Sequence, residues 1–494
     1  LLFNSFSFLF LYLPLVLAGF FVLGRTSPRW AAVWLGMASL AFYGVGSARH
    51  VPLLLASIMF NFAAARAITH AAGTARRRVL LAAVAANLAL LAYYKYANFF
   101  LGAVGAQSQL AIILPVGISF FTFTQIAFLV DCHRREASEV RFSHYFLFVS
   151  YFPHLVAGPV LHHKEMMPQF ADARNYRPLA ANFAIGMSIF VVGLAKKVLI
   201  ADNLSPLAGP VFAAGAHPQM IEAWVGVLAY TFQLYFDFSG YSDMAIGLSR
   251  MFGVKLPLNF NAPHKALDIG AFWRRWHMTL SRFLRDYLYI ALGGGRLGRL
   301  KRYRNLMLTM LLGGLWHGAG WTFVAWGALH GGFLVLHHCW QAWGGFRLAP
   351  LAAQALTFLA VMLAWVFFRA PDFGTAFDIL GALAGANGVS LPRAFAPLAQ
   401  WLPGAVGFDG LRWIELVGLG LPALALAAVL AFFAPTTQEI FCHYEPAFER
   451  ILHRPARQWI TWRPRPAWGL GFAGLFIVCV LSMNRVSEFL YFQF

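Results

Sequence analysis

Acidic residues are scarce in this chain of 494: 19 Asp and Glu stand against 38 Lys and Arg, and charged residues make up only 12%. A soluble globule so poor in charge would expose more apolar surface than water tolerates. Cysteine is rarer still. Cys132, Cys339, Cys442 and Cys479 show no C-x-x-C spacing, which argues against a disulfide framework and a cysteine zinc site. The histidine pairs His162-His163 and His337-His338 have no third ligand at metal-binding spacing, so no metal is expected. A G-x-S-x-G elbow is missing, which removes a serine-hydrolase reading. Gly293-Gly294-Gly295-Arg296 follows no strand and lacks the Gly-Lys-Ser/Thr ending of a phosphate loop. Motifs for RNA or DNA are also missing, so the net charge of +19 does not point to nucleic acid. There is no soluble domain, no low-complexity tail and no inverted repeat of the kind common in transporters.

What the chain has in abundance is apolar length. It is 60% hydrophobic, with a mean hydropathy of +0.63. A spanning helix needs about 20 apolar residues, and such stretches recur throughout. Lipid forces backbone groups to bond within their own segment, and short alternating strands are missing, so the expectation is an all-α polytopic membrane protein. Candidate spans lie at about 6–23, 30–46, 51–69, 79–100, 110–130, 180–200, 220–250, 305–321, 322–340, 351–369, 411–434 and 467–485, which gives about 11–13 crossings. The stretch 220–250 is long enough that it must tilt or break. The opening lacks a basic n-region and a small-residue cleavage site, and is expected to be a retained first span. Arg25/Arg29, Arg76–Arg78 and Arg134/Arg135/Arg141 flank alternate spans, 264–304 and 443–465 are strongly basic, and the loops 101–109 and 203–219 carry no Lys or Arg. Basic loops collect in the cytoplasm, so an extracytoplasmic N-terminus is expected; Arg49 dissents mildly. Residues 144–163, broken by Pro153 and Gly158-Pro159, read as a re-entrant hairpin, and 371–410 as an extracytoplasmic loop with a short surface helix at 374–384. The whole chain, 1–494, reads as one integral-membrane domain.

Three places could carry chemistry. In the segment 271–296, Trp273, Trp276, Leu280, Phe283, Leu284, Tyr287 and Leu288 recur at helical spacing, and Arg274, His277, Ser281 and Arg285 run opposite them. From Lys265 to Arg304 there are ten basic residues and two acids, Asp268 and Asp286. One reading is an amphipathic helix lying on anionic lipid. The other is a basic mouth for an anionic donor, with Trp273, Arg274, Arg275, Trp276, Ser281 and Arg285 as contacts, since the arginine fork suits phosphate. The second place is His317, in LLGGLWHGAGW, within a run that holds no charge between Arg304 and Arg347. It reads as a core histidine bonded to a carbonyl, or as a functional base. Ionisable groups inside a bilayer are costly and usually face a functional cavity. Gly313, Gly314, Gly318 and Gly320 would let backbones or a thin substrate approach. The third place is LYFDFSGYSDMAIGL, 234–248, where Asp237 and Asp243 sit in an apolar span beside Tyr241. These carboxylates need partners, which the cationic face of 271–296 could supply. They read as a buried ion pair or as a proton relay.

FWRRWHMTLSRFLRDYLY followed by YRNLMLTMLLGGLWHGAGWTFVAWGALHG resembles the membrane-bound O-acyltransferase family. It is most similar to the bacterial branch that serves alginate O-acetylation, as are YFDFSGYSDMAIG, NFNAPHKA, LFNSFSFLFLYLPL and EFLYFQF; the likeness covers essentially the whole chain. The resemblance implies a ring of tilted helices around a thinned core with a central tunnel. It implies His317 as the catalytic base and His277 as the second polar position, an Asn or His across the family. Trp316, Asp237, Tyr241 and Asp243 are expected among the substrate contacts. It also implies acetyl-CoA as a cytoplasmic donor with no tightly bound cofactor. A periplasmic SGNH-type acetyltransferase partner would deliver the acetyl to an exported polysaccharide.

Three alternatives stay open on the sequence. The acceptor could be peptidoglycan or cellulose, or, less readily, a teichoic acid that receives D-alanine from a carrier protein. The chain could instead be a secondary transporter with Asp237 and Asp243 as relays, or a scaffold for a periplasmic enzyme.

Overall fold

The computed structural model describes all residues except 1, 107–108, 138–140, 157, 297, 347, 392–394, 398–400, 402–405, 409–419, 450–459, 484–488 and 491–494. Among the described residues helices dominate, and strand pairing is confined to Val389–Ser390 with Val406–Gly407. Five helical runs are long and apolar enough to cross a membrane: Phe8–Thr26, Pro28–His70, Gly73–Ala103, Ala180–Ala208 and Pro350–Arg369. Ile118–His133, Phe373–Leu383, Gly420–Phe433 and Pro466–Ser482 are shorter apolar helices. The molecule is an all-α, multi-pass membrane protein.

Helix ends follow local chemistry. Pro28, Pro52 and Pro350 stand in the first turns of their helices, where a missing N–H costs nothing. The carboxylates of Asp268 and Asp372 accept the N–H groups of Ala271 and Thr375, which caps two further starts. The span expected from residue 110 begins only at Ile118. Gly117 precedes it at φ +70°, against the Leu155 carbonyl, where a Cβ would come within 2.8 Å. The expected helix at 374–384 is present as Phe373–Leu383. Residues 144–163 do not form one helix: Phe142–Ser150 and Phe152–Leu155 are separate, and His163–Ala171 follows. The first part of the span expected at 411–434, most of EFLYFQF and much of 443–465 lie outside the described residues.

Of the two long patterns, the one at 220–250, expected to tilt or break, does not break, and the one over 271–296 does. Met220–Met251 is an unbroken helix of 32 residues. At 1.5 Å per residue it runs about 48 Å, beyond a hydrocarbon core of about 30 Å, a mismatch that tilting absorbs. The amphipathic helix expected over 271–296 is instead three short pieces, Ile269–Trp273, Met278–Phe283 and a π turn at Leu284–Tyr289. The break falls at His277, which adopts left-handed backbone at φ +41° and ψ 53°. No Gly or Pro in AFWRRWHMTLSRFLRDYLYIAL announces it.

The chain forms two compact units. The first comprises Leu1–Leu194, Gly240–Asn259 and Thr437–Gln493. Its core gathers Phe3, Phe8, Phe42, Phe152 and Tyr241, and Phe3 stacks on Tyr241 at 4.9 Å. A buried polar chain runs through it. The amides of Asn61 and Asn87 exchange hydrogen bonds of 3.1 and 2.7 Å, Gln125 donates to Ser57 Oγ, and the Tyr145 hydroxyl donates to Gln125. Helix Ala180–Ala195 meets the second half of Met220–Met251 backbone to backbone. A Cβ on Gly193 would stand 2.5 Å from the Gly240 carbonyl oxygen and 2.6 Å from the Met244 nitrogen. Gly193→Val is therefore expected to cost about 1–3 kcal/mol or more, as overpacking does, read as a lowered melting temperature in detergent. An unchanged Tm would show that the helices part cheaply.

The second unit, Ala195–Ser239 with Phe260–Thr436, holds both histidines singled out from the sequence. Helices Arg299–His317 and Trp321–Ala342 are joined by only Gly318-Ala319-Gly320. Glycines let these helices close on one another: a Cβ on Gly314 would strike the Phe323 carbonyl, and one on Gly327 the Met310 carbonyl. Asn305, fully buried, donates to the carbonyls of Leu292 and Gly294 at 3.0 and 2.9 Å. The glycine run that is no phosphate loop is thus a strap tied to the helix that carries His317.

Candidate active site

His317 is the last residue of its helix, so its position is set by the tight turn that follows. The ring is buried among Trp316, Trp326 and Phe368, at centroid distances of 5.0, 5.1 and 5.2 Å. Trp326 comes from the partner helix of the pair and Phe368 from the end of Pro350–Arg369. A helix C-terminus is the negative end of the helix dipole, the end suited to a group that gains positive charge. The close approach that the glycine readings anticipated is borne out at Gly314, and at Gly318, where a Cβ would strike the Phe323 ring.

His277 reaches the same place from the broken segment. Its left-handed backbone is uncommon outside glycine; such strain tends to persist at functional sites, where the surrounding structure enforces it. Its ring is buried edge-on to Phe238 at 4.8 Å and lies 6.3 Å from Trp316. The Trp316 indole is thus the common neighbour of the two histidines. His277 lies outside the spans, and burial pushes its imidazole down to about 3. At neutral pH it is an uncharged group with one donor and one acceptor nitrogen.

The other residues singled out from the sequence separate into groups. Trp273 packs on Trp326 at 5.8 Å, and Trp276 on Trp365 at 5.1 Å, so both belong to the aromatic wall that continues to His317. Arg274 and Arg285 are mostly exposed; Arg274 lies 4.0 Å from Asp268 and Arg285 pairs with Asp286 at 2.7 Å. Arg275 is half-buried, and its carbonyl accepts the Asn261 N–H at 2.9 Å. Ser281 donates to the Trp276 carbonyl at 3.3 Å. Asp237 is buried in an ion pair with Lys197 at 2.6 Å, and the same ammonium lies 3.0 Å from Asp202. Tyr241 and Asp243 belong to the first unit. There Tyr241 packs on Phe3 and Phe489, and Asp243 accepts from Thr437 and Gln438 at 2.6 and 3.1 Å. Among the described residues no group of three His, Cys, Asp or Glu side chains is placed to hold a metal.

Sequence reasoning passed over His330, although it stands in the same uncharged run as His317 and four residues after Trp326. It is fully buried, with Trp326 at 4.7 Å, Trp273 at 5.1 Å and Phe272 at 6.3 Å, and among the described residues neither ring nitrogen has a hydrogen-bond partner. The indole nitrogens of Trp273, Trp326 and Trp365 are likewise buried without partners among the described residues. An unsatisfied buried polar group costs about 1–3 kcal/mol, so His330→Phe is expected to hold or raise the melting temperature. A marked drop would mean that the imidazole is bonded in the membrane.

The membrane-bound O-acyltransferase family profile matches residues 117–369, from the glycine before Ile118–His133 to the end of Pro350–Arg369. That range contains His277, His317 and His330. Among similar proteins, the peptidoglycan O-acetyltransferase of Helicobacter pylori is 45% identical over 81% of this chain and 83% of its own length. The proteins named probable alginate O-acetylase AlgI in Pseudomonas putida and Pseudomonas aeruginosa are 41% and 38% identical, each over 100% of both chains. The chain belongs to the membrane-bound O-acyltransferase family, as the sequence motifs indicated. It is a membrane acyltransferase.

Proposed function

We propose that this protein takes acetyl from acetyl-CoA on the cytoplasmic side of a bacterial inner membrane and passes it across for O-acetylation of an exported polysaccharide. The observation that carries the site assignment is His317, a buried imidazole at a helix end, walled by indole and phenyl rings and joined to His277 through Trp316. In this reading His317 takes the proton of the acceptor hydroxyl as its oxygen attacks the thioester carbonyl carbon. The carbon–sulfur bond breaks, and the thiolate recovers the proton from the imidazolium. The products are an ester and a free thiol. Neutral His277 orients the reacting groups by hydrogen bonding. The aromatic walls keep water out, so the acetyl is transferred rather than hydrolysed. Arg274 and Arg285, whose guanidiniums face solvent, receive the donor phosphates, with Arg275, Ser281, Trp273 and Trp276 behind them.

Alginate is the acceptor we favour, because relatives matching over their full length carry that name. Peptidoglycan is the second reading, favoured by the 45% identity to the H. pylori protein. A periplasmic SGNH-type acetyltransferase would complete the delivery. The test has two arms. Purified protein is given radiolabelled acetyl-CoA, with and without the periplasmic partner, and thiol release is followed. A strain lacking the gene is then assayed for acetyl on alginate and on muropeptides. Release that requires His317, with acetyl lost from alginate alone, supports the first reading; loss from muropeptides alone supports the second. A transporter or scaffold would release no thiol under either condition.

A further inference from the structure

Within the first unit, helices Ala180–Ala195 and Pro466–Ser482 leave a groove of about 430 Å³ between them. Its walls are apolar and follow helical spacing. Trp468, Phe472 and Phe476 lie at i, i+4 and i+8 on one helix, with Ala184, Met187 and Val191 on the other. Its end is different in kind. Arg463 and Arg465, which also line it, stand immediately before the helix that starts at Pro466. Both are exposed, and among the described residues neither guanidinium has an acidic partner. Arg465 is also the residue that caps this helix, and no side chain caps its first N–H groups, so the positive end of the helix dipole adds to the same charge. Just inside, Trp462 is buried against Phe441 and Tyr444 at 5.4 and 5.0 Å, which fixes the approach of the basic segment.

A slot that is apolar along its length and doubly cationic at one end fits a molecule built the opposite way round. Free phosphate would satisfy the arginines but leave the groove empty. A hydrocarbon would fill the groove but leave the arginines without a partner. We propose that this groove binds one anionic phospholipid, its acyl chain between the two helices and its phosphate on Arg463 and Arg465. Arginine suits the phosphate because its planar fork donates two hydrogen bonds at once. The basic segment 443–465 also marks this end as cytoplasmic, the side where anionic headgroups attract basic residues.

The test compares the full-length protein in neutral detergent with an Arg463→Gln/Arg465→Gln double variant and with Ala184→Trp. Ala184 is exposed on the groove wall, so the indole fills the slot and leaves the charges alone. Each protein is titrated with phosphatidylglycerol, phosphatidylcholine and inorganic phosphate, reading retained lipid by native mass spectrometry and the melting temperature. Expected is one retained phosphatidylglycerol that raises the wild-type melting temperature. Its apparent affinity should fall at least tenfold in both variants, phosphatidylcholine should bind at least tenfold more weakly, and phosphate alone should have no effect. Equal retention of phosphatidylglycerol by the double variant overturns the proposal. So does equal binding of phosphatidylcholine, undiminished binding by Ala184→Trp, or a phosphate-only shift as large as the lipid's.

Discussion

Replacing His317 by glutamine is expected to lower acetyl transfer from acetyl-CoA by about 10²–10⁴-fold, the usual worth of a general base, with little change in melting temperature. Glutamine nearly fills the space between Trp316, Trp326 and Phe368 and can still form hydrogen bonds, but it cannot accept the hydroxyl proton. Alanine should abolish detectable transfer too, but it also removes a ring from a close-packed wall and so carries a cavity cost. The pair of variants therefore separates chemistry from packing. Activity retained by His317→Gln at the wild-type level would remove His317 as the base. The second histidine has a graded test. His277→Asn keeps a donor and an acceptor, and asparagine tolerates the left-handed backbone at that position. It should retain more activity than His277→Ala. The reverse order would mean that the ring's packing on Phe238, not its polarity, is what matters.

The largest stability effect is expected at Lys197. Its ammonium is buried between Asp237, at 2.6 Å, and Asp202, at 3.0 Å. Lys197→Met keeps the bulk and removes the charge, leaving the buried Asp237 carboxylate without the Lys197 ammonium. Breaking a buried pair in this way costs about 3–5 kcal/mol. Lys197→Met/Asp237→Leu removes the buried pair and leaves only Asp202, the less buried of the two carboxylates; replacing a buried pair by apolar residues is often close to neutral, so the double variant should recover most of the lost Tm. Acetyl transfer by that double variant also decides what the pair is for. Wild-type activity makes it an internal strut and ends any reading of Asp237 as a proton relay. A folded but inactive double variant would revive that reading.

Much of this was open to sequence reasoning, and the misses have specific causes. His317 stood out because it is the sole ionisable side chain of a glycine-rich apolar stretch, and those glycines do mark the close approach of two helices. His277 was harder. Helical spacing placed it on a polar stripe with Arg274, Ser281 and Arg285, but the backbone turns left-handed at His277 itself, so a single regular helix does not extend through the segment. A periodic pattern averages over such a break, and no glycine or proline flags it. Lys197 was missed because its partner lies forty residues away on another helix, and nothing in LAKKVLIA distinguishes a lysine that will be buried from its neighbour Lys196, which stays half-buried.

By itself the sequence determined the class of the molecule. Apolar length and scarce charge leave only a helical membrane protein, because the bilayer offers backbone groups no partner outside their own helix. It also determined the family, since that rests on the order of its motifs. The tertiary structure alone decided which groups meet: that Trp316 neighbours both histidines, that Trp326 joins His317 to His330, and that Asp237 is neutralised by Lys197. Helical spacing specifies neighbours within a turn or two. The surroundings of a buried imidazole or carboxylate come from residues tens of positions away, and only packing brings those together.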